Sequence, residues 1–284
     1  MKMKELNLRE LQECCLDILK DVDTFCRNKG INYSIAYGSL LGAVRHKGFI
    51  PWDDDIDIVM PRKDYERFCH EYVSKDYKVV FKGNTPDCFI PYARVTDFVR
   101  TESRTYSPWM NDIQNPGVWI DIFPLDYAPD NESENRLLYK LSTVIIEYNN
   151  KLRKTKMVSL KGSPFYFRIK HLFHGNSTHA HLRSKHPEEL AGGFDLILRK
   201  YVSSPTRHLS QYCCPDTNIV EWFDSSLFEN TSEYEFEGCL FKGPADSDSV
   251  LKAWFGDYME LPPESKRKCK SRRYLRFYWK DSLR

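Results

Sequence analysis

Three aspartates alternate in the run Trp52-Asp-Asp-Asp-Ile-Asp-Ile-Val-Met60: Asp53, Asp55 and Asp57. Side chains two apart on a strand share a face, so these carboxylates crowd together if the chain is already extended at Asp53. Carboxylates that close repel one another unless positive charge lies between them. Ligands that are all oxygen suit a hard cation, and Mg²⁺ characteristically takes one or two carboxylates together with substrate phosphates; Mn²⁺ accepts the same donors. Upstream, Gly38-Ser39 sits between a short apolar segment and a short helix. A glycine there admits a phosphate close to backbone N–H groups, and the start of a helix presents its positive end to it. Arg45, His46 and Lys47 lie between this turn and the acids. Of these, the forked donors of Arg45 best suit the neutralising of charge on a transferred group. An acidic run is usually a solvated loop and a lone Gly-Ser turn means little. Glycine turn, short helix and acids alternating with aliphatics, taken together, point to metal-assisted chemistry on a phosphate.

The elements that must hold these groups follow from periodicity. Residues 6–29 read as a helix, with Leu8, Leu11, Cys15, Ile18, Leu19, Val22 and Phe25 on one face and Gly30 as its stop. A strand at 32–37, a helix at 40–46 and a loop at 48–52 lead to a strand at 55–60. Ile56 and Ile58 would anchor that strand in the core, with Pro61 ending it. A helix is predicted at 63–73, and strands at 77–82, 89–105 and 118–125, the last stopped by Pro124. A long helix follows at 132–156. Residues 162–186 read as a loop or short-helix insertion and 187–201 as a helix. Strands with a hairpin through 233–241, a short helix at 246–255 and a basic tail from 266 complete the chain. The simplest organisation is one α/β (α+β) domain over 1–284, a mixed sheet flanked by helices with C-terminal elaboration. Its core spans about 10–130, its helical insertion and elaboration 131–265, and its tail 266–284.

Composition narrows the class. Hydrophobic residues at 41% and charged residues at 29% are those of a globular chain, and a formal net charge of +2 does not single out a nucleic-acid binder, so no nucleic-acid partner is expected. Nine cysteines without a C-x-x-C pair are expected as reduced thiols, Cys14, Cys15 and Cys26 serving as small core residues. The start of the chain is amphipathic rather than a signal-peptide run, and no stretch reaches the about 20 apolar residues of a membrane span. A cytoplasmic protein is expected, with the basic tail free to meet the inner membrane face or a phosphorylated acceptor. The histidines from His171 to His186 lack tight ligand spacing and read as a surface segment.

The Gly-Ser turn followed by Asp-Ile-Asp resembles the nucleotidyltransferase superfamily. The longer string from Gly38 through Gly-Ala-Val-Arg-His-Lys-Gly-Phe-Ile-Pro-Trp to Asp57-Ile is similar to the LicD family of phosphocholine transferases, related to fukutin and fukutin-related protein. Two further blocks agree: Arg94-Val-Thr with Ile120-Asp-Ile-Phe-Pro-Leu-Asp126, and Phe255-Gly-Asp-Tyr-Met-Glu-Leu-Pro-Pro263. The resemblance spans about residues 10–265 and implies a nucleotidyltransferase-like mixed sheet. It adds Asp121 to Asp55 and Asp57 as a metal triad, with Asp53 as a fourth partner. Asp126 is expected to cap or orient a turn after Pro124.

The implied reaction is transfer of a phospho-alcohol, foremost phosphocholine, from a CDP-activated donor to a hydroxyl of a cell-surface glycan precursor (lipopolysaccharide, teichoic acid or capsule), with release of CMP. Gly38, Ser39, Arg45, Lys47 and Trp52 would bind the donor, and Asp121 or Asp53 would accept the hydroxyl proton. Choline offers only a positive charge and apolar methyls, so aromatic faces are expected around it; Trp52, Tyr92, Trp109 and Trp119 are the candidates. CDP-ribitol or CDP-glycerol as donor, a true NTP-using nucleotidyltransferase, and a retired glycan-binding scaffold stand as alternatives at this point.

Overall fold

The structure is a computed structural model that describes residues 3–85, 88, 90–105, 116–159, 205–214, 219–269 and 275–280. The segments predicted at 162–186 and 187–201, and Trp109, lie outside the described residues.

Helix α1 (Leu8–Lys29) forms where the apolar period placed it. Asn7 and Glu10 form a capping box at its start, and Gly30 closes it at φ 61°, a left-handed conformation that costs glycine nothing. Leu11, Cys15, Ile18, Leu19 and Val22 are buried on its inner face. The chain then runs through β1 (Ser34–Ile35), α2 (Tyr37–His46), β2 (Asp57–Pro61), α3 (Arg62–Glu71), β3 (Lys78–Val80), β4 (Ala93–Asp97), β5 (Thr101–Thr105) and β6 (Val118–Ala128). After α4 (Glu132–Ser159) come β7 (His208–Ser210), β8 (Phe223–Asp224), α5 (Ser226–Glu229), β9 (Thr231–Phe236), β10 (Cys239–Pro244), α6 (Ser247–Phe255) and β11 (Leu275–Trp279).

The main sheet has seven strands. Its path is β1-β2-β6-β4-β3, with β7 on the far end of β6 and β8 on β7. Only β2 and β6 run parallel, so the sheet is mixed as expected, and α1 and α3 pack against it. Ile56, Ile58, Ile120 and Ile122 are fully buried and fix the two central strands in the core. The β9–β10 hairpin turns at Glu237-Gly238, both with positive φ (51° and 74°), as a two-residue hairpin turn demands.

Three local expectations are corrected. The first strand is only two residues long, because Ala36, after donating to the Asp57 carbonyl, accepts from Ser39 and Leu40 and starts α2 at Tyr37. Pro124 does not end a strand; it lies within β6. The Asp121 N–H donates toward the β2 side, so along this strand the even-numbered N–H groups face the opposite neighbour. Pairing with β4 ends at Ile122 and pairing with β7 begins at Asp126, so the N–H that Pro124 lacks falls in the gap between two partners. Nor is the basic tail wholly free: β11 pairs with β5, and Leu275 and Phe277 are buried.

Asp126 does not serve a turn. With Arg62, the first residue of α3, it makes a bidentate ion pair at 2.7 and 2.8 Å, in which the two side chains are 0% and 7% exposed. This pair joins α3 to the far end of β6.

Candidate active site

The centre of the site is one row of side chains across three strands. Parallel pairing sets Asp57 of β2 opposite Asp121 of β6, and antiparallel pairing sets Asp121 opposite Arg94 of β4. Partners in register point to the same face. Arg94 donates from Nε to Asp121 Oδ1 at 2.7 Å and from Nη2 to the Tyr92 hydroxyl at 3.1 Å. Its guanidinium lies over the rings of Trp119 (4.4 Å) and Tyr92 (5.5 Å). Burial works against the Arg94 charge, and Asp121 and Tyr92 more than restore it. Arg94 was legible in the sequence only as part of a motif block; nothing in its local pattern marks it as the partner of Asp121.

Asp53, Asp54 and Asp55 form a second group, one oxygen from each lying within 4.8 Å of the others. Asp53 and Asp55 are not on a strand face with Asp57, as the alternation predicted, because β2 begins only at Asp57. A turn gathers them instead. Asp53 N–H donates to the Ile50 carbonyl at 2.8 Å, with Pro51 supplying the φ that the second position of such a turn favours. Gln12, buried on α1, donates to the Asp53 carbonyl at 2.8 Å. The tip of the β9–β10 hairpin holds the loop from its other side: Glu237 accepts from Phe49 N–H, and its own N–H donates to the Lys47 carbonyl.

Gly38 and Ser39 serve this arrangement directly. A Cβ at Gly38 would stand 2.6 Å from Asp53 Oδ2, so the glycine leaves room for that carboxylate beside the start of α2. That carboxylate lies against the start of α2, which has no side-chain cap, where negative charge is favoured. Ser39 accepts through Oγ from Asp57 N–H at 2.9 Å and so fixes the first residue of β2.

The electrostatics show how much negative charge is concentrated here. Loss of solvation pushes the Asp57 carboxyl well above the usual range, then Asp121 and Asp53 push it further, and Arg94 opposes them. Asp55 opens to solvent, yet protein surrounds it densely enough that burial is again the first cause of a strong upward shift, followed by Asp57, Asp53, Asp54 and Asp121. The donor set consists of carboxylate oxygens alone, the ligand type of hard divalent cations. Burial, Asp121, Asp57 and Glu221 also push the Cys214 thiol up to about 11, which puts this residue in the same field.

The basic residues predicted from sequence fall elsewhere on the rim. Arg45, near the C-terminal end of α2, donates to the carbonyls of Tyr258 and Glu260, so the first and last motif blocks meet through it. Lys47 is exposed just beyond α2. Trp52 packs on the core with Arg267 over its ring at 5.8 Å. Glu221, which the sequence did not single out, is buried and accepts through Oε1 from the Tyr37 hydroxyl (3.0 Å) and Trp254 Nε1 (3.2 Å). It ties the start of α2 to α6. Its importance is legible only in three dimensions, since its partners lie 184 and 33 residues away.

A mixed sheet bearing acids in register on adjacent strands, with a Gly-Ser helix start against a neighbouring acid cluster, is the frame of a nucleotidyltransferase-type transferase. Residues 30–166 match the model described as LicD/FKTN/FKRP, nucleotidyltransferase domain. The match, which takes in just under half of the chain, supports a transferase of the LicD family. It is 27% identical over 278 residues to the lipopolysaccharide cholinephosphotransferase LicD of Haemophilus influenzae, covering 94% of this chain and 96% of that protein. Over 94 residues it is 47% identical to RP689 of Rickettsia prowazekii, covering 30% of this chain and 35% of that protein.

Proposed function

We propose that this protein transfers phosphocholine from CDP-choline to a hydroxyl of a glycan or its precursor, with Mg²⁺ on Asp55, Asp57 and Asp121, and releases CMP. The observation that carries this reading is the in-register pairing of Asp57 with Asp121 beside the Asp53–Asp54–Asp55 group. The similarity to a lipopolysaccharide cholinephosphotransferase over nearly the whole chain supports the choice of choline and of a glycan acceptor. When bound, Mg²⁺ supplies Lewis-acid neutralisation of the donor's diphosphate.

The chain's own residues supply position and charge, which is most of what phosphoryl transfer requires. The sheet register holds Asp57 and Asp121 side by side. Arg94 occupies Oδ1 of Asp121 and leaves Oδ2 as its donor atom; no hydrogen bond from a described residue reaches that oxygen. The sugar hydroxyl oxygen attacks the phosphorus that carries choline. The bond from that phosphorus to the bridging oxygen breaks, and CMP leaves with the electron pair. Because Asp121 is committed to Arg94, Asp53 is the carboxylate that takes the hydroxyl proton. Arg45, held by the carbonyls of Tyr258 and Glu260, is the cation assigned to the charge gathering on the transferred group. Among the described residues, no helix is long and apolar enough to cross a membrane; we place the protein in the cytoplasm, against the inner membrane face where lipid-linked glycan precursors are exposed.

The donor is tested by thermal unfolding. CDP-choline is expected to raise the midpoint more in Mg²⁺ than in EDTA, since a ligand that binds only the folded state stabilises it. Protection by CTP alone, with pyrophosphate as product, would contradict the reading.

Gly38→Ala tests the placing of Asp53. The atom its Cβ meets is the tip of a side chain, which can swing aside, so the melt should stay close to that of the natural protein. The carboxylate would lose its place, and transfer is expected to fall about tenfold to a hundredfold. An unchanged rate would show that Asp53 takes no part.

Trp52→Leu keeps bulk and removes the ring face. It should weaken CDP-choline relative to CMP by about 1 kcal/mol. Equal losses for the two ligands would mean that Trp52 only packs the turn.

A further inference from the structure

Arg45 and Arg267 are brought together by one short stretch of chain. Arg45 donates to the carbonyls of Tyr258 and Glu260, and Arg267 donates from Nε to the Pro262 carbonyl at 2.7 Å. Arg45 lies close enough to Arg267 for their charges to repel, and burial and that repulsion lower its affinity for its proton. Two guanidiniums so placed would ordinarily recruit a carboxylate. Yet among the described residues every hydrogen bond from these two side chains goes to a neutral acceptor: the three carbonyls and, at 3.4 Å, His46 Nδ1. Neither residue takes part in an ion pair with a described carboxylate. The Arg267 guanidinium also sits 5.8 Å from the centre of the Trp52 ring, in the residue immediately before Asp53. A positive pair that meets no carboxylate among the described residues therefore stands beside the turn that carries Asp53, Asp54 and Asp55.

We propose that Arg45 and Arg267 form a paired-guanidinium subsite for a phosphate group of the substrate, on the Trp52 side of the carboxylates. Two forks on a common loop match the oxygens of a phosphate or diphosphate, which guanidinium binds through paired, charge-assisted hydrogen bonds. The pair would hold such a group without a cation, whereas the carboxylates would repel it. Arg267 is thereby a binding residue contributed from beyond residues 30–166, outside the matched nucleotidyltransferase domain. The role of this subsite in the reaction rests on the function proposed above; its affinity for phosphate does not.

Calorimetric titration of the full chain with inorganic pyrophosphate in EDTA separates the two, because no cation is then present to bridge the anion to the aspartates. Pyrophosphate should bind the natural protein. Arg267→Gln should weaken that binding about tenfold or more, and Arg267→Lys, which keeps the charge without the fork, should fall between them. Lys268→Gln removes the same charge from the exposed next residue and should change little. Unchanged affinity in Arg267→Gln, or an equal loss in Lys268→Gln, would overturn the proposal, the second by showing general attraction to a basic surface. An unaltered melt of Arg267→Gln without ligand checks that its fold is intact. With Mg²⁺ present, a raised KM for CDP-choline assigns the subsite to the donor, and a raised KM for a phosphorylated acceptor assigns it to the acceptor. Pyrophosphate binding that depends on Arg267 in a protein with no transferase activity would uphold the subsite and reject the proposed reaction.

Discussion

Asp57→Asn is expected to lower transfer about 1,000-fold or more, while the cation-free variant is more stable than the natural protein at neutral pH. The loss of rate follows from the position of Asp57 at the start of β2, in register with Asp121. Removing its charge takes away several kcal/mol of neutralisation from the donor's diphosphate, and about 1.4 kcal/mol is a factor of ten in rate. The gain in stability follows from the upward shift of its carboxyl, caused first by burial and then by Asp121 and Asp53. Well below the ordinary value of 3.8 the carboxyl is protonated in both the folded and unfolded chain, and its shift costs nothing. As pH rises past 3.8 the unfolded chain releases the proton freely while the folded one retains it, so the natural fold loses stability until its own raised value is passed. Asn has no proton to lose. The stability difference should therefore appear as pH rises from 3.8 toward neutrality and reverse in Mg²⁺, which only the natural site holds well. Unfolding midpoints across pH, in EDTA and in Mg²⁺, read both halves. A well-folded Asp57→Asn protein with normal turnover would remove Asp57 from the site.

Asp126→Asn is expected to destabilise the protein by about 3–5 kcal/mol, because it strands a buried guanidinium without its counter-charge. Arg62 and Asp126 are joined by two hydrogen bonds in a place with almost no solvent. Taking two charges out of water is costly, so the pair is not in itself a large source of stability; its halves are mutually obligatory. Replacing both, as Arg62→Met with Asp126→Leu, should recover most of the loss. Urea unfolding of the single and double variants gives the coupling directly. A single variant as stable as the natural protein would show that Arg62 can reach water when its partner is gone.

What the sequence made legible was local. The period of α1 and its Gly30 stop, the hairpin at Glu237-Gly238 and the helix after Asp246 all rest on patterns within a few residues, and all appear as read. Asp55, Asp57, Gly38 and Ser39 were visible for the same reason. Three things were not. Pro124 looked like a strand terminator because a missing N–H matters only where a partner strand stands opposite, and that depends on where β4 ends and β7 begins. The crowding of Asp53 with Asp55 was foreseen, but through strand alternation rather than the turn at Ile50 that produces it. Arg94, Glu221, Arg62 and Arg267 escaped notice as functional or structural anchors because each acts on a group from a distant part of the chain. Register across a sheet is set by the whole core and cannot be read from any one strand.

Transfer of a phospho-alcohol by the carboxylate site is the activity on which the proposed roles of Asp53, Asp55, Asp57 and Asp121 depend. It is tested most directly by incubating the pure protein with CDP-choline, Mg²⁺ and a lipopolysaccharide-type glycan acceptor, and following CMP release together with choline on the glycan. CMP and choline-bearing glycan are expected in equal amounts, dependent on Mg²⁺ and absent with Asp57→Asn. Turnover of CTP to pyrophosphate in place of CDP-choline to CMP, or equal CMP release by Asp57→Asn, would contradict this reading.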